Sequence, residues 1–228
     1  MPSLDQSKLA DDLWLAAHDT PRRKSQLADR PLSLGLGAAL LGELLLAGSI
    51  AIDGGAIFLR FAAAPDDPAL APVVNQMKGE DHSRRRQLPG AHEQSGLKLR
   101  EWIQYLAVDN RAHDLVTNRM SRAGLIHRED RRSLFGGVTV RYTPRDSIIS
   151  GAPVSRVNVA LERRHELDQS QLALAGLFLA TGLHQQVFAN QTPDDRAELG
   201  RQLKTLHPML RELLRAAEQV VGEAVMLR

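Results

Sequence analysis

The amino-acid sequence predicts a mainly α protein: a compact multi-helix single domain over residues 1–228, carrying two short winged-helix-like β-hairpins. Three observations point there. Apolar residues recur at three- and four-residue spacing along most of the chain. Two turn signals, Asp53-Gly-Gly and Gly136-Gly137, are flanked by aliphatic or alternating residues. Finally, Leu44-Leu-Leu-Ala-Gly-Ser-Ile50 before the first turn is echoed by Arg119-Met-Ser-Arg-Ala-Gly-Leu-Ile126 before the second. Both read as helix, Ala-Gly, aliphatic strand, turn, strand, the winged-helix unit used twice. A chain of this length buries about 70% of its unfolded surface, enough for a core without metal or disulfide staples.

The elements follow in order. Leu4, Leu9, Leu13, Trp14 and Ala17 place an opening helix behind Asp5 as its cap. Residues 18–31, polar and bounded by prolines, read as a mobile loop. Leu34–Ala47 is a second helix, apolar nearly all round and therefore buried, and Gly48 stops it. Ser49–Ile52 and Ala56–Phe61 then pair as the first hairpin, near 49–61. Pro65–Pro72 begins a loop or short helix. Residues 80–96, with Arg84-Arg85-Arg86, Pro89, Gly90 and Gly96, read as a second mobile loop. Helix returns at Leu97–Leu106 and over 111–123, ended by Gly124. The second hairpin lies near 125–143, where Val138, Val140 and Tyr142 alternate with Thr139 and Arg141. Helices at Val157–Leu161, Ser170–Gln186 and Asp194–Met226 complete the chain. Asp168 or Ser170 caps the middle one, Pro193 sits in a first turn, and Pro208 interrupts the last.

Composition excludes several chemistries. With no cysteine there is no disulfide framework, thiolate-ligated zinc, iron–sulfur cluster or thiol nucleophile. Aromatics at 4% supply few rings for stacking single-stranded bases. Gly35-Leu-Gly37 through Gly42 lacks the preceding strand of a dinucleotide fingerprint, and Glu43 stands where a phosphate loop needs lysine, so these glycines read as helix-packing residues. His165-Glu166 has no second histidine at zinc-helix spacing. The adjacent acids Asp11-Asp12, Asp66-Asp67 and Asp194-Asp195 diverge on a helix and suit its N-terminal dipole better than shared proton chemistry. No catalytic residue, metal or cofactor is expected. The most apolar run, Leu32–Ile52, is broken by Glu43 and four glycines, and no secretory pattern opens the chain, so a soluble, cytoplasmic protein is expected.

What remains is arginine. The formal net charge is only +2, yet the cations gather at Arg22-Arg23-Lys24, Arg84-Arg85-Arg86, Arg128 with Arg131-Arg132, and Arg163-Arg164. Such clusters are either solvated surface or contacts for phosphates of lipid or nucleic acid. Leu134 and Phe135, at the second turn beside arginines, are candidates for contact with a membrane or partner. A nucleic-acid-binding regulator is the alternative reading: Arg111, Arg119 and Arg122 on a helix, with Arg128, Arg131 and Arg132 on the wing, would then meet phosphates.

Leu9-Ala-Asp-Asp-Leu-Trp-Leu15, Gly35-Leu-Gly-Ala-Ala-Leu-Leu-Gly-Glu-Leu44 with Ala47-Gly-Ser-Ile50, Arg122-Ala-Gly-Leu-Ile126, and Gln171-Leu-Ala-Leu-Ala-Gly-Leu-Phe-Leu-Ala-Thr-Gly-Leu183 with Val187-Phe188 together resemble the Golgi phosphoprotein 3 family, in its bacterial branch. The resemblance implies a mostly helical, non-enzymatic domain that binds phosphatidylinositol 4-phosphate at a membrane surface. In eukaryotic members it also implies an adaptor role and oligomerisation through a projecting hairpin. The expected partners are thus anionic phospholipid head groups, and a protein partner or second copy through the 125–143 hairpin, with nucleic acid a weaker expectation. The expected location is cytoplasmic, peripheral at the inner membrane face. The family's head-group residues are a tryptophan and three arginines. They fall here near Ala28 and on Gly37, Asn110 and His113, and none keeps its residue type. Arg22, Arg23, Arg30, Arg111 and His113 are the neighbouring residues able to rebuild an anion site.

Overall fold

At the centre of the molecule lies α2 (Asp29–Leu46), buried from Pro31 to Leu45, as a helix apolar on nearly every side requires. The computed structural model describes residues 8–19, 25–60, 65–87, 97–132 and 138–226, without the side chains of 84–87, 131–132 and 138–139. Around α2 pack α1 (Leu9–Ala17), α4 (Leu99–Ala107), α5 (Arg111–Arg122), α7 (Gln169–Thr181) and α10 (Pro208–Met226). The α2 glycines make this close approach possible. A Cβ would lie 2.5 Å from Thr181 Cγ2 at Gly35, 3.1 Å from the Ile103 carbonyl at Gly37, and 2.7 Å from Leu9 Cδ2 at Gly42. They are packing residues, as the failed nucleotide motifs indicated.

The first hairpin pairs β1 (Ile50–Asp53) with β2 (Ala56–Leu59), Asp53 facing Ala56. Gly54 and Gly55 between them both have positive φ, 56° and 77°, the two-residue turn that strand twist favours. β3 (Leu97–Lys98) adds to β2, where the sequence reads as helix from Leu97. Two residues are too few to show alternation. The second hairpin joins β4 (Ile126–Arg132) to β5 (Val138–Pro144), in register from Ile126↔Pro144 to Arg132↔Val138.

The internal echo is a matter of hydrogen bonding as well as sequence. Gly48 and Gly124 both adopt φ 68°. The Ser49 amide donates to Leu44 O at 2.9 Å and the Leu125 amide to Met120 O at 3.0 Å, the same six-residue closure after each helix. Ala47 and Ala123 donate in turn to Glu43 O and Arg119 O. Glu43 and Arg119 thus occupy equivalent positions of the two units.

Other expectations need correction. Residues 29–31, expected within the first loop, are the first turn of α2. Residues 80–87 are helical, the second half of α3 (Leu70–Gln87), not loop. Asp67 starts this helix by accepting from the Ala69 and Leu70 amides at 2.9 and 3.0 Å. Its short buried stripe of Val73, Val74 and Met77 gives way to a fully polar second half that carries no periodicity. The helix expected from Val157 starts ten residues earlier: α6 (Ser147–Glu162) begins behind Asp146, whose carboxylate accepts from Ile149 N at 2.8 Å, and runs through Pro153. The helix expected over Ser170–Gln186 ends instead at Thr181, where Gly182 turns at φ 82°, and resumes as the short α8 (His184–Val187).

Asp5, the expected cap of the first helix, lies outside the described residues, and α1 starts behind Lys8; the starts of α7 and α9 read as expected. Asp168 and Gln171 form a reciprocal capping box on α7. Thr192 and Asp195 do the same for α9 (Pro193–Leu203), with Pro193 in its first turn. A single cluster of buried apolar side chains runs from Leu9 in α1 to Val221 in α10. Among the described residues no helix is long and apolar enough to cross a membrane.

Candidate functional site

Two helix starts meet at one mouth of the molecule. The Ser33 hydroxyl on α2 lies 3.4 Å from Asn110 Oδ1, and Arg30 Nη1 donates to the Ala107 carbonyl at 3.4 Å. The turn between α4 and α5 makes this possible, because Asp109 and Asn110 are consecutively left-handed at φ 52° and 57°. Of the positions matching the family's head-group residues, Ala28, Asn110 and His113 lie on these two facing helix starts. Gly37 does not. It lies buried against α4, where an arginine has no room.

The anion candidates divide between two sides of α5. His113 faces the second hairpin, 5.9 Å from the Tyr142 ring; Asp114 and Asp29 act on it, and it acts in turn on His18. Arg111, two residues earlier and about 200° around the helix, turns to α4. Its guanidinium lies 4.2 Å over the Tyr105 ring, at the edge of a cleft of about 360 Å³ lined also by Gln76, Leu115 and Asn118. Arg30 and His113 thus belong to the two facing helix starts, whereas Arg111 lines a separate cleft. Arg22 and Arg23 lie outside the described residues, as do Leu134 and Phe135.

His18 is a residue of this mouth that sequence reasoning missed. Its ring stacks on Trp14 at 3.8 Å between centroids, and its Nδ1 donates to the Trp14 carbonyl at 2.8 Å. Burial, with His113 and Arg141 adding to it against that hydrogen bond, pushes its pKa down to about 4. Burial also lowers His113, against the opposing pull of Asp114 and Asp29. Both rings are therefore neutral at pH 7. The i,i+4 spacing of Trp14 and His18 was the available signal.

Deeper in the structure, Arg119 is 6% exposed and points into the protein. It donates to Asp11 Oδ1 through Nε and Nη2 at 3.1 and 2.8 Å, and to both Glu43 oxygens at 2.7 and 2.9 Å. Asp67 receives Nη1 at 3.2 Å. Burial opposes its charge, but Glu43 and Asp11 outweigh burial and raise its pKa. This corrects the nucleic-acid reading at its central side chain: Arg119 is enclosed by carboxylates and cannot reach a phosphate. Arg122 is exposed at the end of the same helix, and Arg128 pairs with Asp130 at 3.1 Å. The acid pair Asp11-Asp12 is buried too, each member turned to its own arginine, Arg119 and Arg156. Glu43 inside an otherwise apolar helix was the legible sign that a buried cation must exist.

Of the other basic clusters, Arg22-Arg23-Lys24 and the side chains of Arg84-Arg85-Arg86, Arg131 and Arg132 lie outside the described residues, while Arg163-Arg164 is tied to the surface. Arg164 bonds the Asp194 carbonyl and lies 3.3 Å from Asp195. Among the described residues no group of three His, Asp or Glu side chains is arranged to hold a metal ion. No curated protein matches the chain. The model of one family, Golgi phosphoprotein 3 (GPP34), matches residues 9–226, nearly its whole length.

Proposed function

The chain belongs to the Golgi phosphoprotein 3 family, and from that premise we propose that it is a non-catalytic protein that binds anionic lipid head groups peripherally. The observation that carries this reading is the meeting of the α2 and α5 starts. Ala28, Asn110 and His113 stand there together with Arg30, and the Ser33–Asn110 contact holds the two helices at that distance. Helix starts direct unpaired amides and the positive end of the dipole outward, which favours a phosphate. Arg30 is half-buried and held by one long bond to a carbonyl, so its guanidinium can turn to an anion at little cost. The tryptophan and three arginines of the resemblance are absent, so charge density at the mouth is low. Binding to any anionic head group, more than selection of one phosphoinositide, is what these residues support.

Vesicle flotation tests it. The protein at low salt is expected to float with phosphatidylcholine vesicles containing phosphatidylserine or phosphatidylinositol 4-phosphate, and to stay behind with phosphatidylcholine alone. Arg30→Glu should reduce the floating fraction severalfold. Failure to associate with either anionic vesicle would overturn the reading.

A further inference from the structure

Among the described residues, five charged side chains converge where α1, α2, α5 and the start of α3 meet. Two are cations, Lys8 and Arg119, and three are carboxylates, Asp11, Glu43 and Asp67. Asp12, next along α1, turns away to Arg156 of α6 at 2.7 Å. Lys8 stands at the rim, 3.5 Å from Asp67 and 38% exposed, so water screens part of its charge. The three acids are not equally satisfied. Glu43 engages Arg119 with both oxygens and accepts the Ala10 amide at 2.8 Å. Asp67 accepts two backbone amides besides Arg119. Both bonds that Asp11 receives from Arg119 end on Oδ1, which leaves Oδ2 outside that pairing.

We propose that this junction is a proton-linked clamp: the carboxylate in excess of the two cations is neutralised by a proton held on Asp11 in the folded protein, and the clamp loosens as that proton leaves. The electrostatics agree. Burial raises the Asp11 pKa to about 7; Arg119 opposes this, and Glu43 and Asp12 add to it. Burial would raise Asp67 too, but Arg119 and the Ala69 and Leu70 amides hold it below its ordinary value. A carboxyl that holds its proton more tightly when folded contributes stability at full strength below its unfolded pKa of 3.8. That contribution is lost as pH rises through about 7. His18, depressed to about 4, works in the opposite sense, stabilising as pH rises toward 6.5. A comparison of variants therefore isolates the clamp. The inference does not depend on lipid binding.

Thermal unfolding of the full chain from pH 4.5 to 8.5 tests it, with Asp11→Asn beside the wild type and Asp66→Asn as an exposed neighbour control. The melting temperature of Asp11→Asn relative to wild type should rise by roughly 3–8 °C between pH 5 and 8, while the Asp66→Asn difference stays flat. A second measurement needs no variant. Carbon-13 NMR of the wild-type carboxyls should show Asp11 titrating near neutrality, with the Ala10 amide losing exchange protection over the same range. A relative melting temperature that stays level or falls, or an Asp11 midpoint near 4, would overturn the clamp.

Discussion

Arg119 joins segments that are distant in sequence: Asp11 is 108 residues away, Glu43 76 and Asp67 52. Its planar fork is suited to this, since five donors in fixed directions can serve three carboxylates at once. Arg119→Met leaves three acids facing one another in a buried site, and denaturant unfolding should show a loss of about 3–5 kcal/mol. Arg119→Lys keeps the charge but not the fork and should recover only part of that loss. The arginine was visible in the sequence, but its direction was not. On a helix that also carries half-buried Arg111 and exposed Arg122, hydropathy cannot tell an arginine facing solvent from one facing a carboxylate.

Among the elements, α2 shows the same division. Its burial was legible, because a helix apolar on every side has no face to give to water. Its glycines were legible as packing residues, though not which neighbour each one admits. Gly37 is the informative case. Its Cβ position is bounded by the Ile103 carbonyl and Leu106 Cβ, both at 3.1 Å, on the adjoining α4. Restoring the family's residue by Gly37→Arg is therefore expected to destabilise the fold by about 3 kcal/mol without creating an anion site. Melting temperature and vesicle flotation together check this: the variant should melt lower and float no better. α3 is not legible in the sequence for the converse reason. Its second half buries nothing that a periodicity could report, and the carboxylate cap that starts it, Asp67, also belongs to the Arg119 cluster.

For the molecule as a whole, the buried apolar side chains form one continuous cluster, with members from α1 through α10. No element pair within the described residues has a core of its own. Unfolding should therefore be a single cooperative step, with far-ultraviolet and near-ultraviolet circular dichroism tracing coincident transitions. Two separated transitions would show that the duplicated helix–hairpin units fold independently. The equivalent placement of Glu43 and Arg119, one in each unit and bonded to each other, argues that neither unit satisfies its buried charge alone.

The sequence by itself determined the mainly helical class, both hairpins, the Ala-Gly helix endings, the cap at Asp168 and the first-turn place of Pro193. Each of these is governed by local chemistry: positive φ at glycine, a side chain reaching a nearby amide, or apolar spacing on one helix. It also carried the family, through motifs in their order along the chain. Tertiary structure alone decided which charges pair and which helix starts meet. Arg119 finds Asp11 and Glu43, Ser33 finds Asn110, and Arg111 parts from His113 because two residues on a helix point to nearly opposite sides. A charge is satisfied by whatever the fold brings within about 3 Å, and no spacing along the chain encodes that distance.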